Sequence, residues 1–336
     1  MKRKFAIVTR PDYRSPRILA ESLQYSLREQ GAVADLFFNI SCFTRLNSFQ
    51  SSKGMAFHFW LYRKLRNYWK DKLFIRTLKK YDVVIISECT PNGFWKHLYH
   101  IEQLRNIIKK PIWFLEVYYL GNAPTQIVKL QKEGHPTIER YDKHLCISPV
   151  TEIKQAPNPN WLPIGLNLQY TGLKPNIKEK FIALVDFVQP GYEAVQAEQI
   201  AVLNALNIET IVLNQRYTIN EIRAIYQQAA VFFIQFPEAF GMPIAECLAC
   251  GVQIFTPNSG WPMSWRLNNN PEIHGEGILG DCFTVYDSEN DLKQKLTSFI
   301  TKFHISNTPH EVFQQFLENY STFFFGNSQN IKSLIV

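Results

Sequence analysis

The chain has 336 residues, 46% of them hydrophobic and 14% aromatic, and carries a formal net charge of +7. That length suits two domains of ordinary size, and that apolar content excludes an intrinsically disordered chain. No apolar run approaches a membrane span, and the short run Phe5 to Val8 behind the basic N-terminus is too brief for a signal peptide, so the expected location is cytoplasmic.

Phe5 to Thr9 reads as a buried strand, Arg17 to Gln30 as a helix with Leu19, Leu23 and Leu27 on one face, and Val33 to Phe38 as the next strand. Gly31 ends the helix. This is the opening of a doubly wound α/β domain. The first turn, R-P-D-Y-R-S-P-R, contains no glycine. Its Arg10, Arg14 and Arg17 suit a phosphate or an acidic acceptor, and equally a solvated basic loop. Met55 to Tyr81 reads as a long helix with Leu61, Leu65, Tyr68, Trp69 and Leu73 at helical spacing and a basic opposite face. With Trp60, Tyr62 and Trp69 it has the composition of a helix lying on an anionic membrane surface, here the cytoplasmic face. The ordinary alternative, a sheet-covering helix with a charged outside, is favoured because it leads into the strand Asp82 to Ser87.

A helix Trp95 to Ile108 and strands Pro111 to Tyr118 and Leu145 to Ser148 follow. Glu88 and Glu116 fall at or near strand ends, with His97 and His100 close by, and are acceptor-side candidates. The linker A-P-N-P-N-W-L-P, Ala156 to Pro163, puts the domain boundary near residue 165. The second domain, 166–305, opens with strand Lys180 to Phe187, helix Tyr192 to Leu206 and strand Glu209 to Leu213. Thr218 and Glu221 form a capping box for helix Ile219 to Ala229. Strand Cys282 to Tyr286 and helices Ser288 to Ile300 and Pro309 to Tyr320 come last.

Between them lies F-I-Q-F-P-E-A-F-G-M-P-I-A-E-C-L-A-C-G-V-Q-I-F-T-P-N-S-G, Phe233 to Gly260. A buried strand, Val231 to Phe236, is closed by Pro237. A turn with Glu238 and Gly241 leads into a helix that has Pro243 in its first turn and stops at Gly251. Strand Val252 to Thr256 follows. The turn lies at the carboxyl end of a sheet strand, where open α/β folds bind ligands, and the helix start is an anion site. Carboxylates accept hydrogen bonds from hydroxyls. Glu238 and Glu246 with a helix start therefore suit a sugar nucleotide. A capping Glu238 with a solvent-facing Glu246 is the alternative. Cys247 and Cys250 have C-x-x-C spacing inside this helix but no companion Cys or His pair, so they read as core residues. The six cysteines read as reduced thiols.

E-A-F-G-M-P-I-A-E resembles the E-x7-E motif of family 4 (group 1) retaining glycosyltransferases. The F-G after the first Glu, the A-E-x-L-A-C-G run and the small-residue loop Asn258 to Gly260 extend the likeness over about thirty residues. The resemblance implies a GT-B fold, two Rossmann-like domains facing a cleft, with a C-terminal segment from about 306 to 336 crossing back to the first. It implies hexosyl transfer from a nucleotide-sugar donor to a glycan, lipid or small-molecule acceptor, with no metal or other cofactor. Glu238 would hold the donor sugar and Glu246 the nucleotide ribose. Backbone N–H groups near Phe240, Gly241 and Met242, with Ser259 and Gly260, would line the donor side.

Three features depart from that pattern. The glycine-rich first turn is missing. The usual Arg and Lys on the donor diphosphate are replaced by V-D-F-V-Q-P-G-Y-E, leaving Arg216 as the best substitute, with Lys180 and the Arg10 loop behind it. The second domain also reads as one strand–helix repeat short of the usual pattern. These departures motivate a rival, a catalytically inactive GT-B relative serving as a binding or partner subunit. An oxidoreductase is disfavoured because no G-x-G-x-x-G follows a predicted strand. Nucleic-acid binding is not expected, since the basic residues cluster on one helix without a recognisable module.

Overall fold

The computed structural model describes residues 2–9, 11, 15–38, 72–88, 99–116, 140–148, 160–236, 238, 240–258, 263–267 and 278–336. The chain divides into two compact units. One comprises Met1–Pro149, Gln155–Ile164 and Asn327–Val336, the other Val150–Lys154 and Gly165–Gly326.

The first unit runs β1 (Lys4–Val8), α1 (Ser15–Glu29), β2 (Val33–Phe37), α2 (72–78), β3 (Val83–Ser87), α3 (Tyr99–Ile108), β4 (Ile112–Glu116), β5 (Lys143–Cys146) and β6 (Trp161–Pro163). Its six strands are all parallel, in the order β2-β1-β3-β4-β5-β6. Every residue of β3 and β4 is buried. Continuous apolar runs of this kind form strands covered on both faces, as parallel sheets require. Leu19, Leu23 and Leu27 of α1 are buried. The face of α2 differs from expectation. Leu73 is 59% exposed, while Phe74 and Leu78, one turn apart, are buried in the core with Val84, Ile86 and Phe114. The rest of the expected long helix, including Trp60, Tyr62 and Trp69, lies outside the described residues.

The second unit runs β7 (Ile182–Val185), α4 (Glu193–Ala205), β8 (Glu209–Val212), α5 (Ile219–Gln228), β9 (Val231–Phe233), α6 (Met242–Ala249), β10 (Gln253–Pro257), β11 (Phe283–Tyr286), α7 (Glu289–Lys302), α8 (Thr308–Tyr320) and α9 (Thr322–Phe325). Its five strands are parallel, in the order β11-β10-β9-β7-β8. Val185, Phe233 and Phe255 meet Val202, Leu203, Leu292 and Leu296 in its core. The capping box of α5 is present, with Thr218 Oγ1 accepting from the Glu221 N–H and Glu221 accepting from the Thr218 N–H.

The C-terminal segment corrects an expectation. Both α8 and the Phe323–Phe325 run, expected against the first domain, belong to the second unit. Phe323 packs on Phe240 and Trp265, and Phe324 on Phe313 and Phe316. Only the last ten residues, with helix α10 (Ser328–Ile335), belong to the first unit, where the Leu334 carbonyl accepts from Arg3.

Two devices lock α6 in place. Lys178 is 1% exposed, and its Nζ donates to the carbonyls of Gln227 at 2.7 Å and Cys250 at 3.1 Å, joining the ends of α5 and α6. Burial pushes this amine down to about 8. Gly251, at φ 72°, ends α6, and a Cβ there would overlap the Pro309 carbonyl group, with its carbon at 2.7 Å. Gly251→Ala combines a disfavoured backbone with a clash against rigid backbone, so a loss of about 3 kcal/mol or more is expected in the urea midpoint. Lys178→Met strands two buried carbonyls and is expected to cost about 2–4 kcal/mol by the same measurement.

Candidate functional site

The carboxyl ends of β9, β7 and β8 lie side by side. Glu238 follows β9, Asp186 follows β7 and Arg216 follows β8. Parallel α/β sheets bind ligands at this end. The Asp186 N–H donates to the Phe233 carbonyl at 3.0 Å, extending the pairing of β7 with β9 and holding Asp186 on Glu238's side of the sheet.

Glu238 is partly buried and has no hydrogen bond or ion pair among the described residues. Burial raises its carboxyl to about 7. It does not cap α6. The N-cap is Gly241, at φ 71°, and no side chain caps this helix. Positive φ makes glycine the natural residue there, and space does too. A Cβ on Gly241 would lie 2.7 Å from Ile244 Cδ1 and 3.6 Å from Glu238 Cβ. The Gly241 carbonyl accepts from the Ile244 N–H at 3.1 Å, closing the first turn around Pro243.

Asp186 was not singled out from the sequence, where its stretch registered only as lacking a base. It is 6% exposed and its carboxyl is raised to about 7. Burial is the main cause, opposed by the Phe187 N–H at 2.8 Å and reinforced by the charge of Glu238. Two neighbouring carboxyls that both resist ionisation make one end of this sheet electrostatically unusual.

Glu246 sits further along α6. It is 3% exposed, which removes the solvent-facing alternative. Its Oε1 accepts from Arg223 of α5 through Nε at 3.0 Å and Nη2 at 2.7 Å. Burial raises the Glu246 carboxyl, and Arg223 offsets only part of that rise. Arg223, too, was missed, because nothing in a spacing of 23 residues links one helix to the next.

Phe240 and Met242 are buried side chains. Phe240 stacks on Trp265, whose Nε1–H donates to the Phe240 carbonyl. The Tyr320 hydroxyl donates to the Trp265 carbonyl at 2.6 Å and accepts from the Gly280 N–H at 2.8 Å. An aromatic buttress from the C-terminal helices thus fixes the Glu238–Gly241 turn from behind. Cys247 and Cys250 are fully buried in the core, and burial raises both thiols.

Other expected residues fall elsewhere. Arg216 is exposed and has no ion-pair partner among the described residues. Lys180 precedes β7, at the opposite end of the sheet, and pairs with Glu209 at 2.6 Å, so it is no substitute for the missing diphosphate base. Arg17 is engaged by Glu21 at 2.9 Å, by the Pro11 carbonyl at 2.7 Å and by the face of Phe38. Glu116 is fully buried and pairs with an equally buried His144 at 2.7 Å, and Glu88, just after β3, is 2% exposed. Arg10, Arg14, His97, Ser259 and Gly260 lie outside the described residues. His100 lies on α3.

No family model and no curated relative matches the chain. Solved structures do. HepE from Anabaena, crystallised with UDP and glucose, aligns at TM-score 0.50 and 14% identity over 99% of this chain and 98% of its own. The catalytic domain of starch synthase IV from Arabidopsis thaliana, bound to ADP and acarbose, aligns at 0.51 and 8% identity, covering 96% and 100%. A putative UDP-N-acetylglucosamine 2-epimerase from Listeria monocytogenes aligns at 0.54 and 9%, covering 99% and 95%. The chain has the GT-B fold. That fold serves transferases and this putative epimerase alike, so the reaction must be argued from the site. No helix among the described residues is long and apolar enough to cross a membrane.

The raised carboxyls give a pH signature. Between about pH 4 and pH 7 the folded chain keeps protons on Asp186 and Glu238 that the unfolded chain has released, so stability falls as pH rises through that window. Urea midpoints from pH 4.5 to 7.5 are expected to decline, and Asp186→Asn is expected to flatten that decline by about 2 kcal/mol.

Proposed function

We propose that the protein is a glycosyltransferase that moves a hexosyl group from a nucleotide-sugar donor to a glycan, lipid or small-molecule acceptor with retention of configuration. The observation that carries this reading is Glu238. It is a partly buried carboxylate without a partner among the described residues, held at the carboxyl end of β9 by a glycine-capped helix start. A side chain kept unpaired at such a cost in desolvation is suited to a polar ligand, and sugar hydroxyls are its natural complement. Glu238 would fix the donor sugar and Glu246 the ribose. The start of α6 and Arg216 would stabilise charge on the departing diphosphate. The attacking hydroxyl would pass its proton to a leaving-group phosphate oxygen. The reading requires no metal ion and no organic cofactor. The acceptor would be held by the first unit, with the segment 55–81 as a candidate contact with an anionic membrane surface and the cytoplasm as the working compartment.

The second reading, a GT-B relative that binds a nucleotide sugar or a protein partner without transfer, is favoured by one observation. A buried acidic side chain, Asp186, stands after β7 where the resemblance implies a base on the diphosphate. Turnover separates the two. The purified protein is offered UDP-, GDP- and ADP-sugars and nucleoside diphosphate release is followed. Slow donor hydrolysis by the wild type, reduced about a hundredfold or more in Glu238→Ala, is the expected result for a transferase. Donor-induced thermal stabilisation without release would establish the binding relative.

A further inference from the structure

The Arg223–Glu246 pair has more structure than burial alone demands. Both guanidinium contacts go to a single oxygen, Oε1, at 3.0 and 2.7 Å. Oε2 has no partner among the described residues. Arg223 is itself held from a second side by a hydrogen bond with Tyr170, in the 3-10 turn Gln169–Thr171. Its helix is pinned at the start by the Thr218–Glu221 capping box. The guanidinium is thereby braced between two elements and grips the carboxylate from one side. A pair built only to neutralise buried charge has its most favourable geometry in the bidentate fork, one nitrogen to each oxygen.

We propose that Arg223 is a positioning residue that holds Glu246 by Oε1 and presents Oε2 to the ribose diol of a nucleoside diphosphate, with Tyr170 bracing Arg223. The inference rests on the donor-binding reading of Glu246 above. Arg223 touches no substrate in this scheme. It orients the carboxylate and, by opposing the effect of burial, favours the ionised form that accepts from hydroxyls. Lysine would supply charge at this position without the planar, multiply bonded hold.

The test compares UDP, GDP and ADP with their 2′,3′-dideoxy counterparts by titration calorimetry. For whichever base binds, the wild type is expected to prefer the ribose form by about tenfold or more, the effect of losing hydrogen bonds to a charged group. In Arg223→Met that preference is expected to fall to about twofold or less, as in Glu246→Gln, with Arg223→Lys intermediate. Arg223→Met is also expected to make ribose-form binding more strongly pH-dependent than in the wild type, strengthening as pH rises and Glu246 ionises. Tyr170→Phe removes only a hydroxyl and guards against a misfolded Arg223 variant. It is expected to lower the preference two- to threefold. A folded Arg223→Met with the wild-type ratio, or a wild type that binds without ribose preference, overturns the proposal. A wild type that binds none of the nucleotides overturns the donor reading itself, a result that no Arg223 variant is needed to reach.

Discussion

Carboxylates are costly to remove from water, and the second unit removes three of them near one end of one sheet. Asp186 and Glu246 are almost fully buried and Glu238 largely so. Each is treated differently. Glu246 receives Arg223, Asp186 receives a backbone N–H and remains reluctant to ionise, and Glu238 has no partner among the described residues. Much of the surrounding architecture serves to hold these groups where unconstrained chain would let them escape to solvent.

That holding is done from behind the site. Lys178 joins the C-terminal ends of α5 and α6, so the helices carrying Arg223 and Glu246 share a single buried cation. Gln199 on α4 donates to the Ile234 carbonyl and the Tyr286 hydroxyl and accepts from Gln235, tying the strand before Glu238 to the rest of the sheet. Phe240, Trp265, Tyr320 and Phe323 form an aromatic block under the turn. Buried hydrogen bonds and close aromatic packing rigidify what they contact, and a site that orients a ligand needs that rigidity.

The fold and the chemistry are separate conclusions. Two parallel α/β units on the GT-B plan accommodate sugar transfer and other reactions of nucleotide sugars. What favours transfer here is local. A carboxylate with no partner among the described residues, a helix start, a second carboxylate braced by arginine and an exposed Arg216 all lie on the second unit. The acidic Asp186 stands against the usual diphosphate grip, and it is the residue on which the choice between a transferase and a binding relative turns.

The sequence by itself determined the order of most elements, because buried parallel strands and amphipathic helices carry their signal in local periodicity; β6, Trp161–Pro163, was hidden in the proline-rich stretch read as a linker, since three residues carry no periodicity. The E-x7-E turn, the α5 capping box, the Gly251 stop and the buried Cys247 and Cys250 were legible for the same reason, since each depends on neighbours within a few residues. Only the tertiary structure decided where each charge ends. Lys180 went to Glu209 at the far end of the sheet, Arg17 to Glu21, Glu116 to His144, and Glu246 to Arg223. It also decided that Phe323 packs against Phe240 and that Leu73 faces outward while Phe74 faces in. Local pattern specifies that a side chain will be buried or charged. Its partner is chosen by which elements the packed sheet brings together, and that information is spread over the whole unit.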